Sequence, residues 1–258
     1  MSRRALSGIL GIAWRNIYTT LKTPSLAVPP LLVPVFTLAV IAGGLSALHD
    51  VPNFDFDGDY TAFAFIFVLV QSSAMCGQYS ALALARDFET HFARRLMLAT
   101  SKRWHIVAGY TLAALARAAI TVPVLFAFGF LFGMEVNGSL GQVLALIGLA
   151  LLISLVTAFW AMGVALRMRT AQTAPAMMLP IFATLFSAPA FVPLAALTGW
   201  LHDVASFNPM TPFIEAGRSL ISGHPKDVEV ALAVGVGLLL VLGIWSFTGV
   251  RRAEAAGG

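Results

Sequence analysis

The sequence predicts an all-α, polytopic membrane protein with six transmembrane helices, and three observations carry that expectation. Hydrophobic residues make up 59% of the 258 positions and charged ones only 11%, with a mean hydropathy of +0.85; a soluble domain carries about 25% charged residues. The apolar residues fall into blocks long enough to cross about 30 Å of hydrocarbon, which takes roughly 20 helical residues. The charges stand between the blocks, and a soluble globule of this size cannot hide so much apolar side chain.

Taken in chain order, residues 1–22 read as an amphipathic helix lying in the membrane interface. Leu6, Ile9, Leu10, Ala13, Trp14, Ile17 and Leu21 recur at helical spacing among Arg3, Arg4, Arg15 and Lys22. Spans are expected over 23–48, 60–85, 106–134, 136–166, 170–201 and 230–250, with Arg117 the only charge inside any of them. The fifth block is longer than one span needs and holds Pro175, Pro180, Pro189 and Pro193. Interior prolines remove helix hydrogen bonds, so this block reads as a span followed by a broken, partly re-entrant piece. One long kinked helix is the alternative.

Orientation follows from Lys and Arg in the connecting segments. Segments 1–22, 86–105, 167–169 and 251–258 hold thirteen of the sixteen basic residues; the opposite side holds Arg218 and Lys226, plus an acidic segment at 49–59. Both termini are therefore expected in the cytoplasm. No cleaved signal peptide is expected, because the first apolar block outruns an h-region of about 7–15 residues. The placement of the basic residues argues against a nucleic-acid partner, and the lone Cys76 excludes an intrachain disulfide.

Two connecting segments have patterns of their own. In 86–105, Asp87 and Glu89 read as opening a short helix with Arg94 and Arg95 further on, which suits the helix dipole. Phe88, Phe92 and Leu96 recur every four residues as an apolar stripe, to dock on the membrane surface or on a soluble partner. In 200–227, Thr211 can cap a helix, Pro212 suits its first turn and Gly223 its end. Phe213, Ile214, Gly217, Leu220 and Ile221 would face the bundle, with Glu215 and Arg218 paired on the polar side. This reads as a short external helix.

Recognisable chemistry is lacking. The sequence has no GxxxxGK[ST], HExxH or CxxC, and the five histidines are expected in loops on both sides. No catalytic residue, metal or cofactor is expected on this chain. Arg117 would cost about 2.5–3.5 kcal/mol at the centre of a span, so it lines a path through the protein or snorkels toward the headgroups. Gln71, beside Ser72, Ser73, Gln78 and Tyr79, gives the second span a polar side. Met177, Met178, Phe182 and Phe186 either line an adaptable apolar path or simply pack.

The stretch 87–96, reading DFETHFARRL, with 99–103 (ATSKR), Ile106 and Gly109, resembles the coupling region of ABC type-2 exporter permeases. A second likeness lies in Asn208, Pro209, Met210 and Thr211 followed by Arg218, Leu220 and Gly223, similar to that family's Asn-Pro-x-Thr and Arg-x-Leu-x-x-Gly. His91 stands where the family usually has glycine, and Ala99-Thr-Ser lacks the usual proline. The loop style is closest to the daunorubicin-resistance branch.

The resemblance implies one permease domain over 1–258, coupled through Asp87, Phe88, Glu89, Phe92, Arg95, Leu96 and Arg103. It also implies an external helix built around Asn208, Pro209, Glu215 and Arg218. Its partners would be two copies of a cytoplasmic ABC ATPase, which would hold ATP and Mg, and a second permease, identical or homologous. The cargo would be a hydrophobic or amphipathic drug, antibiotic or lipid, or alternatively a lipid-linked glycan or polysaccharide. A membrane enzyme acting on lipids is the rival reading, with Asp50, Asp55, Asp57 and Asp59 its only acidic cluster.

Overall fold

A computed structural model describes residues 3–44, 56, 58–99 and 104–255, and these are helical with no strand among them. Among the described residues, four helices are long and apolar enough to cross a membrane: α4 (Tyr60–Glu89), α6 (Trp104–Leu131), α7 (Leu140–Met168) and α11 (Val228–Ala255). They match the second, third, fourth and sixth expected spans. Around them, in chain order, stand α1 (Arg3–Lys22), α2 (Pro24–Ala27), α3 (Pro29–Gly44), α5 (Phe92–Ala99), α8 (Ala174–Phe186), α9 (Trp200–Ser206) and α10 (Thr211–Ile221).

The first and fifth apolar blocks depart from single spans, and proline is the reason in both. Pro24, Pro29 and Pro30 remove successive backbone donors, so the first block breaks into α2 and α3. The 16 residues of α3 rise about 24 Å, and Gly44 is the last residue described before Phe56. In the fifth block α8 has 13 residues, about 20 Å. Pro189 and Pro193 then lie in an irregular stretch leading to a 3-10 turn at Leu194–Ala196 and to α9. That block is broken, as its prolines require.

The α4 helix is the centre of the molecule, packed against α3, α6, α7, α8 and α10. Its most apolar 18-residue stretch is 94% buried inside the bundle, as expected of a helix that is hydrophobic on all sides. Phe63, Phe65, Phe67 and Leu69 anchor the larger core with Leu125 of α6, Ile153 of α7 and Phe213 of α10. Gly77 lets α4 and α7 touch. A Cβ there would lie 2.3 Å from the Ser154 carbonyl oxygen and 2.4 Å from Thr157 Oγ1. Thr157 in turn donates to the Ala74 carbonyl at 3.1 Å.

Polar groups inside this core answer specific backbone defects. Pro34 lies inside α3 and has no N–H for the carbonyl four residues earlier; Ser72 Oγ of α4 donates to that carbonyl, on Pro30, at 2.7 Å. Asp59 caps α4 by accepting from Ala62 N at 3.0 Å and also accepts from Glu135 N at 3.0 Å. Asp59 thus has a structural duty, while Asp50, Asp55 and Asp57 fall outside the described residues.

The expected single apolar face of α1 is divided. Ile9, Ile12 and Ala13 are buried, with Ile9 and Ile12 against Gly109 of α6, and Asn16 and Thr20 are buried beside them. Leu6, Leu10, Trp14 and Leu21 remain exposed. One face of α1 is therefore bound to the bundle and the other is open. His105 and His202, expected in loops, are helical in α6 and α9.

Candidate coupling and translocation sites

The expected helix start at Asp87 is corrected: α4 runs on through Glu89, so Asp87 and Glu89 lie in its last turn. Acids there oppose the helix dipole, and each is held by a partner from elsewhere. Arg15 of α1 grips Asp87 with two hydrogen bonds, Nη1 to Oδ2 at 2.7 Å and Nη2 to Oδ1 at 2.8 Å. The Tyr110 hydroxyl of α6 donates to the same Oδ2. The bond to Asp87 raises the Arg15 guanidinium above its usual pKa. Glu89 Oε1 accepts from Thr170 Oγ1 at 2.7 Å and from Ala171 N at 2.8 Å. It thereby supplies negative charge to the start of the 3-10 turn that leads into α8.

The chain reverses at His91, whose φ of 59° is left-handed, the region glycine occupies without a steric penalty. The expected stripe is divided by that reversal: Phe88 closes α4, while Phe92 and Leu96, both half-buried, lie on α5. Phe88 is buried in the second core cluster, with Leu96 packed against that cluster. The Phe92 ring lies 3.6 Å from the Arg15 guanidinium carbon, a cation–π contact. Arg95 is exposed on α5, and Arg103 lies outside the described residues. Asp87, Phe88, Glu89, Phe92 and Leu96 thus form one hub joining α1, α4, α5, α6 and the α7–α8 turn.

The candidate path residues do not converge. Arg117 is 7% exposed and donates through Nη2 to Asn16 Oδ1 at 3.1 Å and to Thr20 Oγ1; its Nη1 has no hydrogen-bond partner among the described residues. It lines a cavity of about 450 Å³ between α1, α3 and α6, with Thr20, Leu31, Val35, Thr121, Val124 and Phe128. Gln71 is buried within α4, and its Oε1 has no hydrogen-bond partner among the described residues. Met177 is buried and Met178 partly so in the second cluster. Phe186 is 49% exposed, meeting Phe67 at 5.4 Å and Phe182 at 6.2 Å between ring centroids. Of these six residues, only Arg117 lines the cavity.

At the other end of α4, Arg218 corrects the expectation of a pair on an exposed polar side. It is 3% exposed, bonds Glu215 Oε1 at 3.1 Å and the Ala190 carbonyl at 3.0 Å, and lies 3.4 Å over the Phe63 ring. Burial, only partly offset by Glu215, pulls its pKa down to about 10. Asn208 anchors the same segment, donating to the Thr184 carbonyl at 2.6 Å and to Ser187 Oγ at 3.0 Å, and accepting from Met210 N at 2.8 Å. Pro209 is half-buried behind it. Thr211 does not cap α10; its hydroxyl donates to the Ala205 carbonyl at 2.7 Å.

Sequence reasoning missed Arg15, Asn16, Thr20, Tyr110 and Thr170. One signal was present: Asn16 and Thr20 are polar at i, i+4 and continue the helical line from the apolar Ile12.

A bundle of apolar helices wrapped on a buried central span, four of them long and apolar enough to cross a membrane among the described residues, is the architecture of a multi-pass membrane protein. The sequence profile of the ABC-2 type transporter family matches residues 8–221, from within α1 to the end of α10, and the chain belongs to that family. It is accordingly an ABC transporter permease. A comparison with curated proteins returned no match.

Proposed function

We propose that this permease is the membrane half of an ATP-driven exporter and moves a hydrophobic or amphipathic molecule out of the cytoplasm or the inner leaflet. It works as a pair of permeases, identical or homologous, in the inner membrane, with both termini cytoplasmic. Two separate ATPase subunits bind ATP and Mg. The 86–105 segment receives their motion, with Asp87, Phe88, Glu89, Phe92, Arg95, Leu96 and Arg103 as its coupling residues.

The observation that supports this reading is the double clasp at the end of α4. Asp87 is tied to α1 and α6, and Glu89 to the α7–α8 turn. A push on α5 therefore reaches elements on both sides of the central helix. The exposed Arg95 is the handle best placed to meet a partner without disturbing the core. Charge reversal at Arg95 to Glu should leave the permease folded but reduce both ATPase co-purification and substrate-stimulated ATP turnover. Phe207→Ala, at a position 92% exposed and on the opposite side of the bundle in this reading, should change neither. Full ATPase occupancy and turnover in Arg95→Glu would overturn the coupling assignment.

A further inference from the structure

The cavity beside Arg117 has properties that packing does not require. Its volume, about 450 Å³, falls within the roughly 300–1,000 Å³ typical of small-molecule pockets. Its walls are apolar except near one end. Along α6 the lining runs from Arg117 through Ile120, Thr121 and Val124 to Phe128, about 16 Å at helical rise. Arg117 is thus at one end of an apolar channel, and Val35 of α3 lies across it. Val28, Leu32 and Ile120, which also line the cavity, are exposed on the bundle surface, so it opens sideways toward lipid.

The cation itself is incompletely satisfied. A guanidinium has five donors, yet the acceptors that Nη2 finds on Asn16 and Thr20 are both neutral, and Nη1 finds none among the described residues. A buried charge of this kind is strongly destabilising unless an opposite charge and further hydrogen bonds reach it. The planar fork of arginine matches a carboxylate or a phosphate.

We infer that this cavity is a binding site for an anionic amphiphile, whose carboxylate or phosphate head meets Arg117 and whose alkyl chain lies along Val35, Val124 and Phe128. A transported amphiphile and a resident bilayer lipid share this chemistry. The site does not depend on the export reading, since its binding is measured without ATP or a partner subunit. Its failure would leave the Arg95 experiment untouched.

The test uses the full chain in phosphatidylcholine vesicles, with spin-labelled palmitate and its neutral methyl ester as probes. Electron paramagnetic resonance reads the immobilised fraction. The wild type should hold the acid at least about tenfold more tightly than the ester, as a charge-assisted contact implies. Arg117→Gln should erase that preference while the ester still binds, and Val124→Trp, which fills the channel, should weaken both. Equal retention of acid and ester by the wild type overturns the proposal, as does a preference that survives both substitutions. If Arg117→Gln does not fold, the acid–ester comparison and Val124→Trp decide the matter. Mass spectrometry of protein purified without probe separates the two sources. An anionic phospholipid retained by the wild type and lost from Val124→Trp identifies a resident lipid; a site filled only by added palmitate identifies cargo. Either result supports the site.

Discussion

Asp87 accepts from Arg15 and Tyr110 across 72 and 23 residues of chain, and both bonds disappear or weaken if its charge is removed. Asp87→Asn should lower stability by about 1–3 kcal/mol, toward the lower end because the Arg15 side chain is 38% exposed and partly screened. Arg15→Gln should cost a similar amount, and the double variant little more than either single one; additive losses in thermal unfolding would dissolve the clasp. His91 is the opposite case, a residue whose backbone works against it. At φ 59° a side chain carries a penalty that glycine avoids, so His91→Gly should raise the melting temperature, by about 1 kcal/mol in free energy. An unchanged or lower melting temperature would show that the imidazole supports the turn.

At the scale of elements, proline and hydroxyl explain each other. Ser72→Ala should strand the Pro30 carbonyl in the core and lower stability by about 1–3 kcal/mol. Adding Pro34→Ala should recover most of that loss, because residue 34 then has an N–H to donate to the same carbonyl. A double variant as unstable as Ser72→Ala alone would refute this compensation. The same comparison shows what the sequence revealed. The four long spans were legible because each is an uninterrupted or nearly uninterrupted apolar block, and block length is a local property. The break-up of 170–201 was legible in its prolines. The end of α4 was not: the apolar pattern stops at Ala85, and what carries the helix on to Glu89 is a set of donors on Arg15, Tyr110 and Thr170, each far away in sequence. Arg117 was legible as an exception among apolar residues, but its partners Asn16 and Thr20, 101 and 97 residues away, were not.

For the molecule as a whole, the charge asymmetry sets a direction that labelling can check. With Cys76 replaced and single cysteines placed at Asp55 or Ser101, an impermeant thiol reagent on intact cells should modify position 55 and spare 101. The reverse pattern would invert the molecule. The burial of α4 has a further consequence, for how the chain is made. Of the neighbours packed on α4, α3 precedes it and α1 meets its last turn through Arg15, whereas α5, α6, α7, α8 and α10 all follow. From the end of α4 to the end of α7 is about eighty residues, so at roughly 5–20 residues per second the ribosome needs about 4–16 s to supply the main partner. During that interval Gly77 has no α7 beside it, and the helix that ends up most protected begins as the one most open to membrane proteases. Nascent chains arrested at residue 134 should therefore be degraded faster than chains arrested past 221, where α10 has closed the enclosure.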